Sequence, residues 1–282
     1  MLKIALPNKG SLSEESLTLV REAGYRLRRD NNELSIIDAE NNIDFLFLRP
    51  RDIAVYVADG VVDLGVTGRD LLLDSTASAR ELMALGFGRS RFCYAAPVAS
   101  KLSDHKFAGL RIATSYPNIV VADQHQRNCQ AEIVKLDGAV EIAVELGVAD
   151  LIADVVDSGA TLRQMGLKII GEPILYSEAI LIGNAGIDLE DPAIHRFMRR
   201  VEGIIVARTY VIVEYDVQDE LLATCCEITP GIEAPTVSPL SKAGWCAVKA
   251  MVKRAELNTI IDKLEAAGAN GIIVSDIRTC RI

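Results

Sequence analysis

The chain has 282 residues, half of them hydrophobic, and a formal net charge of −9. That length exceeds what one hydrophobic core usually fills, so two or three domains are expected. The acidic balance and the single tryptophan argue against nucleic-acid binding, which needs a cationic footprint and aromatic stacking platforms.

The chain opens with an apolar strand, Leu2 to Leu6, that breaks at Pro7-Asn8-Lys9-Gly10 before any signal-peptide core develops. No apolar run reaches the roughly 20 residues of a membrane span. A cytoplasmic protein with no membrane partner is expected. Cys93, Cys129, Cys225, Cys226, Cys246 and Cys280 show no metal-ligand spacing and read as reduced thiols, and His105, His125 and His195 lie far apart. Ser11 and Glu14 form a capping box for a helix from Leu12 to Ala23, stopped by Gly24. Lys9 and Gly10 thus fall between the carboxyl end of a strand and a helix start, where open α/β sheets bind ligands. A solvated lysine beside a glycine turn fits the pattern equally well.

Leu34 to Ile37 and Ile43 to Leu48 read as a hairpin about Asn41-Asn42. The second strand delivers Arg49-Pro50-Arg51 onto a helix start. These arginines are either solvated or a clamp for phosphate oxygens, which guanidinium groups bind bidentately. A further strand ends at Thr67-Gly68 and enters a helix from Asp70 to Leu73. After a strand from Arg91 to Pro97 the pattern repeats: strand Leu110 to Ala113, a polar turn at Thr114 to Asn118, a helix to about Asn128, and strand Ala131 to Leu136. Asp137 to Glu141 is then expected to turn into a helix ending at Gly147. Glu141 near that start serves either the helix dipole or a ligand.

Ala149 to Val156 is an almost unbroken apolar run, read as a parallel strand covered on both faces. Ser158, Gly159, Ala160 and Thr161 follow, with side chains small enough for backbone N–H groups to close around an anion. Asp154 and Asp157 precede them, where carboxylates accept hydrogen bonds from sugar hydroxyls. One ligand, a ribose 5-phosphate, satisfies both; an acidic turn with a hydroxyl cap is the bland alternative. Apolar strands follow near Leu167 to Ile174 and Glu178 to Ile182. Asp191 caps a helix whose Ile194, Phe197, Val201 and Ile204 form one apolar face and which is expected to return the chain to the first lobe. From Tyr210 the order becomes βαββαβ, the ferredoxin-like plan, with the small, hydroxylated loop Thr229 to Pro239 inside it.

Six stretches, in order and spread over nearly the whole chain, resemble the long form of ATP phosphoribosyltransferase: Pro7-Asn8-Lys9-Gly10, Leu48-Arg49-Pro50, Asp63 to Gly68, Asp137 to Glu141, Asp154 to Leu162 and Thr229-Pro230-Gly231. The resemblance implies an α/β protein with a two-lobed, periplasmic-binding-protein-like catalytic body and a C-terminal ferredoxin-like (ACT-like) regulatory domain. The lobes would be residues 1–90 with a return segment 183–211, and residues 91–182; the regulatory domain would be 212–282. It implies transfer of the phosphoribosyl group of phosphoribosyl pyrophosphate to N1 of ATP, with Mg²⁺ travelling on substrate phosphates, as the committed step of histidine biosynthesis. Asp154, Asp157, Ser158, Gly159, Ala160 and Thr161 would hold the phosphoribosyl group. Lys9 and Arg49 would take phosphates, with Gly10, Arg51, Asp70 and Glu141 as further nucleotide or magnesium-water contacts. Histidine would inhibit through Asp216, Ile232, Thr236, Ser238 and Gly271, in a homo-oligomer moving between dimer and hexamer. Apart from the resemblance, the same residues suit a two-lobed solute-binding protein or a phosphoribosyltransferase with another acceptor base.

Overall fold

Strand β1 (Leu2–Pro7) is buried at all but one of its positions after Leu2, and it stands at the centre of a six-stranded sheet. The computed structural model describes residues 1–27, 33–102, 107–157 and 159–282. These form two units, Met1–Thr18 with Arg26–Leu189, and Leu19–Tyr25 with Glu190–Ile282.

In the first unit, β1 leads to helix α1 (Ser11–Glu22), whose residues from Leu19 on are counted in the second unit, followed by the hairpin β2 (Ser35–Asp38) and β3 (Ile43–Leu48). Helix α2 (Pro50–Ala58) starts at Pro50, whose missing N–H costs nothing in a first helical turn. Then come β4 (Leu64–Gly68), α3 (Arg69–Ser75) and β5 (Ala79–Ala84). A second sheet begins with β6 (Ser90–Pro97) and β7 (Arg111–Thr114). It continues through α4 (Pro117–Gln126), β8 (Glu132–Lys135), β9 (Leu151–Val156), α5 (Ala160–Gln164) and β10 (Leu167–Ser177). Strand β11 (Ala179–Asn184) returns to the first sheet. The orders are β2-β3-β1-β4-β11-β5 and β10-β6-β9-β7-β8.

The parallel pairs β1·β3, β1·β4, β7·β8 and β7·β9 place the carboxyl ends of their strands on one edge of each sheet. The chain passes between the sheets twice, through residues 85–89 and through Glu178. The two passages are paired: Leu85 N–H donates to Ala179 O at 2.9 Å, Ala179 N–H to Phe87 O at 2.9 Å, and Gly86 N–H to the Glu178 carboxylate at 3.2 Å.

Three sequence expectations need correction. The run Ala149 to Val156 is not in an all-parallel setting: β9 pairs parallel with β7 but antiparallel with β6. The segment from Val140 to Gly147 is a single 3-10 turn at Val140–Ile142 followed by turns, not an α-helix. Ala139 enters it at φ 49°, and the branched Val140, Ile142 and Val144 are poor helix formers. Third, residues 179–182, expected in the second lobe, pair with β4 and β5 of the first sheet, so the return is made by β11 rather than by the helix after Asp191.

In the second unit, α6 (Pro192–Thr209) is capped by the Asp191 carboxylate, which accepts from the N–H groups of Ala193 and Ile194. It buries Ile194, Phe197, Val201 and Ile204, with Tyr25 against Phe197 at 5.3 Å between ring centroids. Then follow β12 (Tyr210–Gln218), α7 (Leu222–Ile228), β13 (Thr236–Pro239), β14 (Trp245–Lys253), α8 (Leu257–Ala266) and β15 (Asn270–Asp276). The four strands form an antiparallel sheet in the order β13-β14-β12-β15, the ferredoxin-like arrangement. Val211, Val213, Tyr215 and Val217 alternate toward a core that includes Cys225, Ile260 and Leu264. All six cysteines are free thiols, and no helix among the described residues is long and apolar enough to cross a membrane.

Candidate active site

Strand β9 sends Leu151 and Ala153 into one core cluster and Ile152 and Val156 into another. Asp154 shares the face of Ile152 and Val156. Its carboxylate is half-buried at the start of a cleft of about 300 Å³ lined by Glu141, Asp157, Gly159, Ala160 and Thr161. Gly159 adopts φ 70°, a left-handed conformation that suits glycine, and immediately precedes the short helix α5. Ala160 and Thr161 are exposed at its first turn, and Asp157 is exposed before the loop. Ser158, proposed from sequence as part of the same cradle, lies outside the described residues.

Burial raises the Asp154 pKa from 3.8 to about 6. The charges of Glu141 and Asp70 push the same way, while the Val155 N–H, donating at 2.7 Å, and the Arg51 guanidinium oppose it. Four sequence-predicted residues therefore sit within one electrostatic neighbourhood: Asp154, Glu141, Arg51 and Asp70.

Arg51, at the start of α2, donates to Ser115 O at 2.8 Å, approaches Asp74 at 3.7 Å and lies 4.5 Å above the Tyr116 ring. Asp74, at the end of α3, accepts from Asn118 N–H at 2.9 Å and Ile119 N–H at 3.4 Å. It thereby caps α4, whose own N-cap residue Tyr116 offers no side-chain cap. Burial raises the Asp74 pKa against these donors. Polar groups of α2 and α3 thus engage the turn after β7, joining the first-sheet half of the unit to the second.

Asp70 is buried in the first turn of α3. Ser177 Oγ donates to its carboxylate at 2.6 Å and accepts from its backbone N–H at 3.0 Å. Tyr116 hydrogen-bonds the same carboxylate, and burial together with that charge holds its phenol well above the usual range. Lys9, Gly10 and Arg49 are exposed on the first sheet's carboxyl edge. There Pro7 pairs with Leu48, and Asn8 N–H donates to Leu48 O at 2.8 Å. Gly10 adopts φ 83° at the turn into α1. Among the described residues no three His, Cys, Asp or Glu side chains are grouped to hold a metal ion.

Sequence reasoning passed over Tyr116, Asp74 and Ser177. Tyr116 had a signal, since it stands in a polar turn at a strand's carboxyl end. Asp74 and Ser177 had none, because their partners are distant in sequence.

The regulatory candidates form a second group. Asp216 pairs across the sheet with Ala247, and Ala247 with Ser238; Glu214 pairs with Lys249, and Lys249 with Thr236. Cross-strand partners share a face, so Asp216, Ser238 and Thr236 lie on the face opposite the helix-covered core. The Lys249–Glu214 ion pair at 2.9 Å lies on that face too. Gly271 adopts φ 59° next to Asp216, where a Cβ would stand 3.8 Å from Asp216 Oδ2. Ile232 is exposed in the loop before β13.

A family model described as ATP phosphoribosyltransferase matches residues 49–203, and one described as HisG, C-terminal domain, matches residues 207–279. The ATP phosphoribosyltransferase of Salinibacter ruber is 55% identical over 283 residues, covering 100% of both chains. That of Mycobacterium tuberculosis is 50% identical over 283 residues with the same coverage. A solved ATP phosphoribosyl transferase (HisG:HisZ) complex from Thermotoga maritima contains a chain that superposes with TM-score 0.64 at 27% identity, covering 73% of this chain and 98% of that one. With two adjoining family matches and relatives at half identity or better along its whole length, this chain belongs to the ATP phosphoribosyltransferase family.

Proposed function

We propose that the chain joins N1 of ATP to C1 of the ribose in phosphoribosyl pyrophosphate, giving phosphoribosyl-ATP and pyrophosphate as the committed step of histidine biosynthesis. The observation that carries this reading is the half-buried Asp154 carboxylate in a cleft walled by Gly159 to Thr161, in one electrostatic neighbourhood with Arg51 and Asp70. The adenine N1 lone pair forms the new N–C bond as the C1–O bond breaks, and that electron pair leaves with pyrophosphate. Positive charge develops on the sugar and negative charge on the leaving oxygen. The chain's part is to orient the sugar and to supply fixed charges of the right sign at each end.

Asp154 and Asp157 accept from ribose hydroxyls, while Gly159, Ala160, Thr161 and Ser158 hold the 5-phosphate. Lys9, Arg49 and Arg51 take phosphate oxygens, with Gly10 leaving room at the turn. Asp70 and Glu141 face the adenine or a magnesium-bound water. Mg²⁺ enters as part of the substrate, coordinated mainly by phosphate oxygens.

Histidine is proposed to inhibit by binding beside Asp216, whose carboxylate suits an ammonium group, with Ile232, Thr236, Ser238 and Gly271 around it. The assembly is proposed to be a cytoplasmic homo-oligomer between dimer and hexamer. Incubation with ATP, phosphoribosyl pyrophosphate and Mg²⁺ tests the reaction. A nucleotide adduct formed together with pyrophosphate supports it; pyrophosphate release with another base in place of ATP, or binding without release, overturns it.

A further inference from the structure

A second cleft, of about 380 Å³, lies on the other side of Asp157, and its lining includes Arg69, Arg89, Arg91, Asp157, Tyr176 and Glu178. Sheet register explains its position. Strand β6 runs antiparallel to β9, so the first residues of β6 stand beside the last of β9, and Arg91 pairs with Val156. Cys93 and Ala95 pack with Val156 and Leu162 in one cluster, whereas Phe92 and Tyr94 belong to the opposite one. Arg91, two residues before Cys93, is therefore on the face that carries Asp154 and α5.

The three arginines are not equivalent. Arg69 is committed to Glu81, through bonds of 2.9 and 2.7 Å, and approaches Glu178 at 3.5 Å. Among the described residues, neither the exposed Arg89 nor the half-buried Arg91 has a carboxylate within ion-pairing distance. The neighbouring cradle has the opposite balance: Glu141, Asp154 and Asp157 line it, and its described lining includes no Lys or Arg. A phosphorylated sugar in the cradle faces these carboxylates, and Arg91 stands on the adjoining strand beside Val156, in a cleft that shares Val156 and Asp157 with the cradle.

We propose that Arg89 and Arg91 form a second anion subsite, which grips a di- or triphosphate chain while the adjoining cradle holds the ribose. Planar guanidinium groups suit this task because each presents paired donors to two phosphate oxygens. The chain could come from the pyrophosphate arm of the sugar donor or from the triphosphate of the nucleotide. The proposal rests on the cradle reading for its place in the reaction, but the subsite can be tested without it.

The test is calorimetric titration of the full chain and its Arg89→Gln/Arg91→Gln variant with inorganic pyrophosphate, ATP and ribose 5-phosphate. The variant is expected to bind pyrophosphate or ATP at least tenfold more weakly, with ribose 5-phosphate changed less than twofold and the urea midpoint retained. Loss confined to pyrophosphate assigns the donor's diphosphate; loss confined to ATP assigns the nucleotide. Arg91→Lys, which keeps the charge but not the fork, is expected to lose affinity in the same direction and by less. The subsite is overturned if pyrophosphate and ATP affinities both stay within twofold, or if ribose 5-phosphate binding alone falls. If the native chain fails to bind ribose 5-phosphate yet binds pyrophosphate through these arginines, the cradle reading falls and the subsite stands.

Discussion

Asp154→Asn removes a carboxylate whose ionisation the fold opposes. Its pKa is about 6 in the folded chain against 3.8 for the free group. Between those values the folded state keeps a proton that the unfolded state has lost. This carboxyl therefore stabilises the protonated folded chain at low pH, and that advantage disappears as pH rises through about 6. The difference corresponds to at most about 3 kcal/mol, felt in full above about pH 7. Asn has no proton to lose, and its amide oxygen can still accept from the Val155 N–H. The variant is expected to be more stable than the native chain near neutral pH by up to that amount, with the gap closing toward about pH 4. Turnover is expected to fall about 100-fold or more, because a fixed charge beside the developing cation is gone. Urea unfolding across the pH range, combined with pyrophosphate release, measures both effects. A stability gap independent of pH refutes the electrostatic argument, and turnover within twofold of native refutes the ribose assignment.

The same neighbourhood gives two shifts of opposite sign. Glu141→Gln removes a like charge and is expected to move the acid limb of kcat/KM for phosphoribosyl pyrophosphate to lower pH, whereas Arg51→Met is expected to move it higher; pH–rate profiles decide. Asp216→Asn is expected to weaken histidine inhibition at least tenfold without changing uninhibited turnover, as read from dose–response curves; unchanged inhibition removes Asp216 from the regulatory site. Tyr94→Phe deletes a buried hydroxyl that donates to Asp123 at 2.8 Å, with Arg127 left to hold that carboxylate. Its expected cost in urea unfolding is about 1–3 kcal/mol, and a loss below about 0.5 kcal/mol would mean that Arg127 satisfies Asp123 alone.

Where local chemistry decides, the sequence was legible. Asp191 and Pro192 mark a helix start and Asn41-Asn42 a hairpin, because caps and turns are written in a few adjacent residues. The alternation of Val211, Val213, Tyr215 and Val217 marks a half-buried strand. Sheet pairing was less legible. The direction of β9 relative to β6 and the membership of β11 depend on partners many residues away, and an apolar run looks the same beside a parallel or an antiparallel neighbour. Glu141 lines the cleft although the helix expected around it is only a 3-10 turn. The Arg51–Tyr116 stack and the Asp70–Ser177 bond required the folded chain, because each joins segments whose proximity no spacing announces.

Glu178 has a mechanical consequence. The chain crosses between the sheets of the first unit twice, and the Glu178 carboxylate fastens one crossing to the other through Gly86 N–H while its neighbour Ser177 holds Asp70. The pair acts as a single pivot rather than two separate tethers. Bending at one strap is passed to the other, and an insertion in residues 85–89 would slacken both.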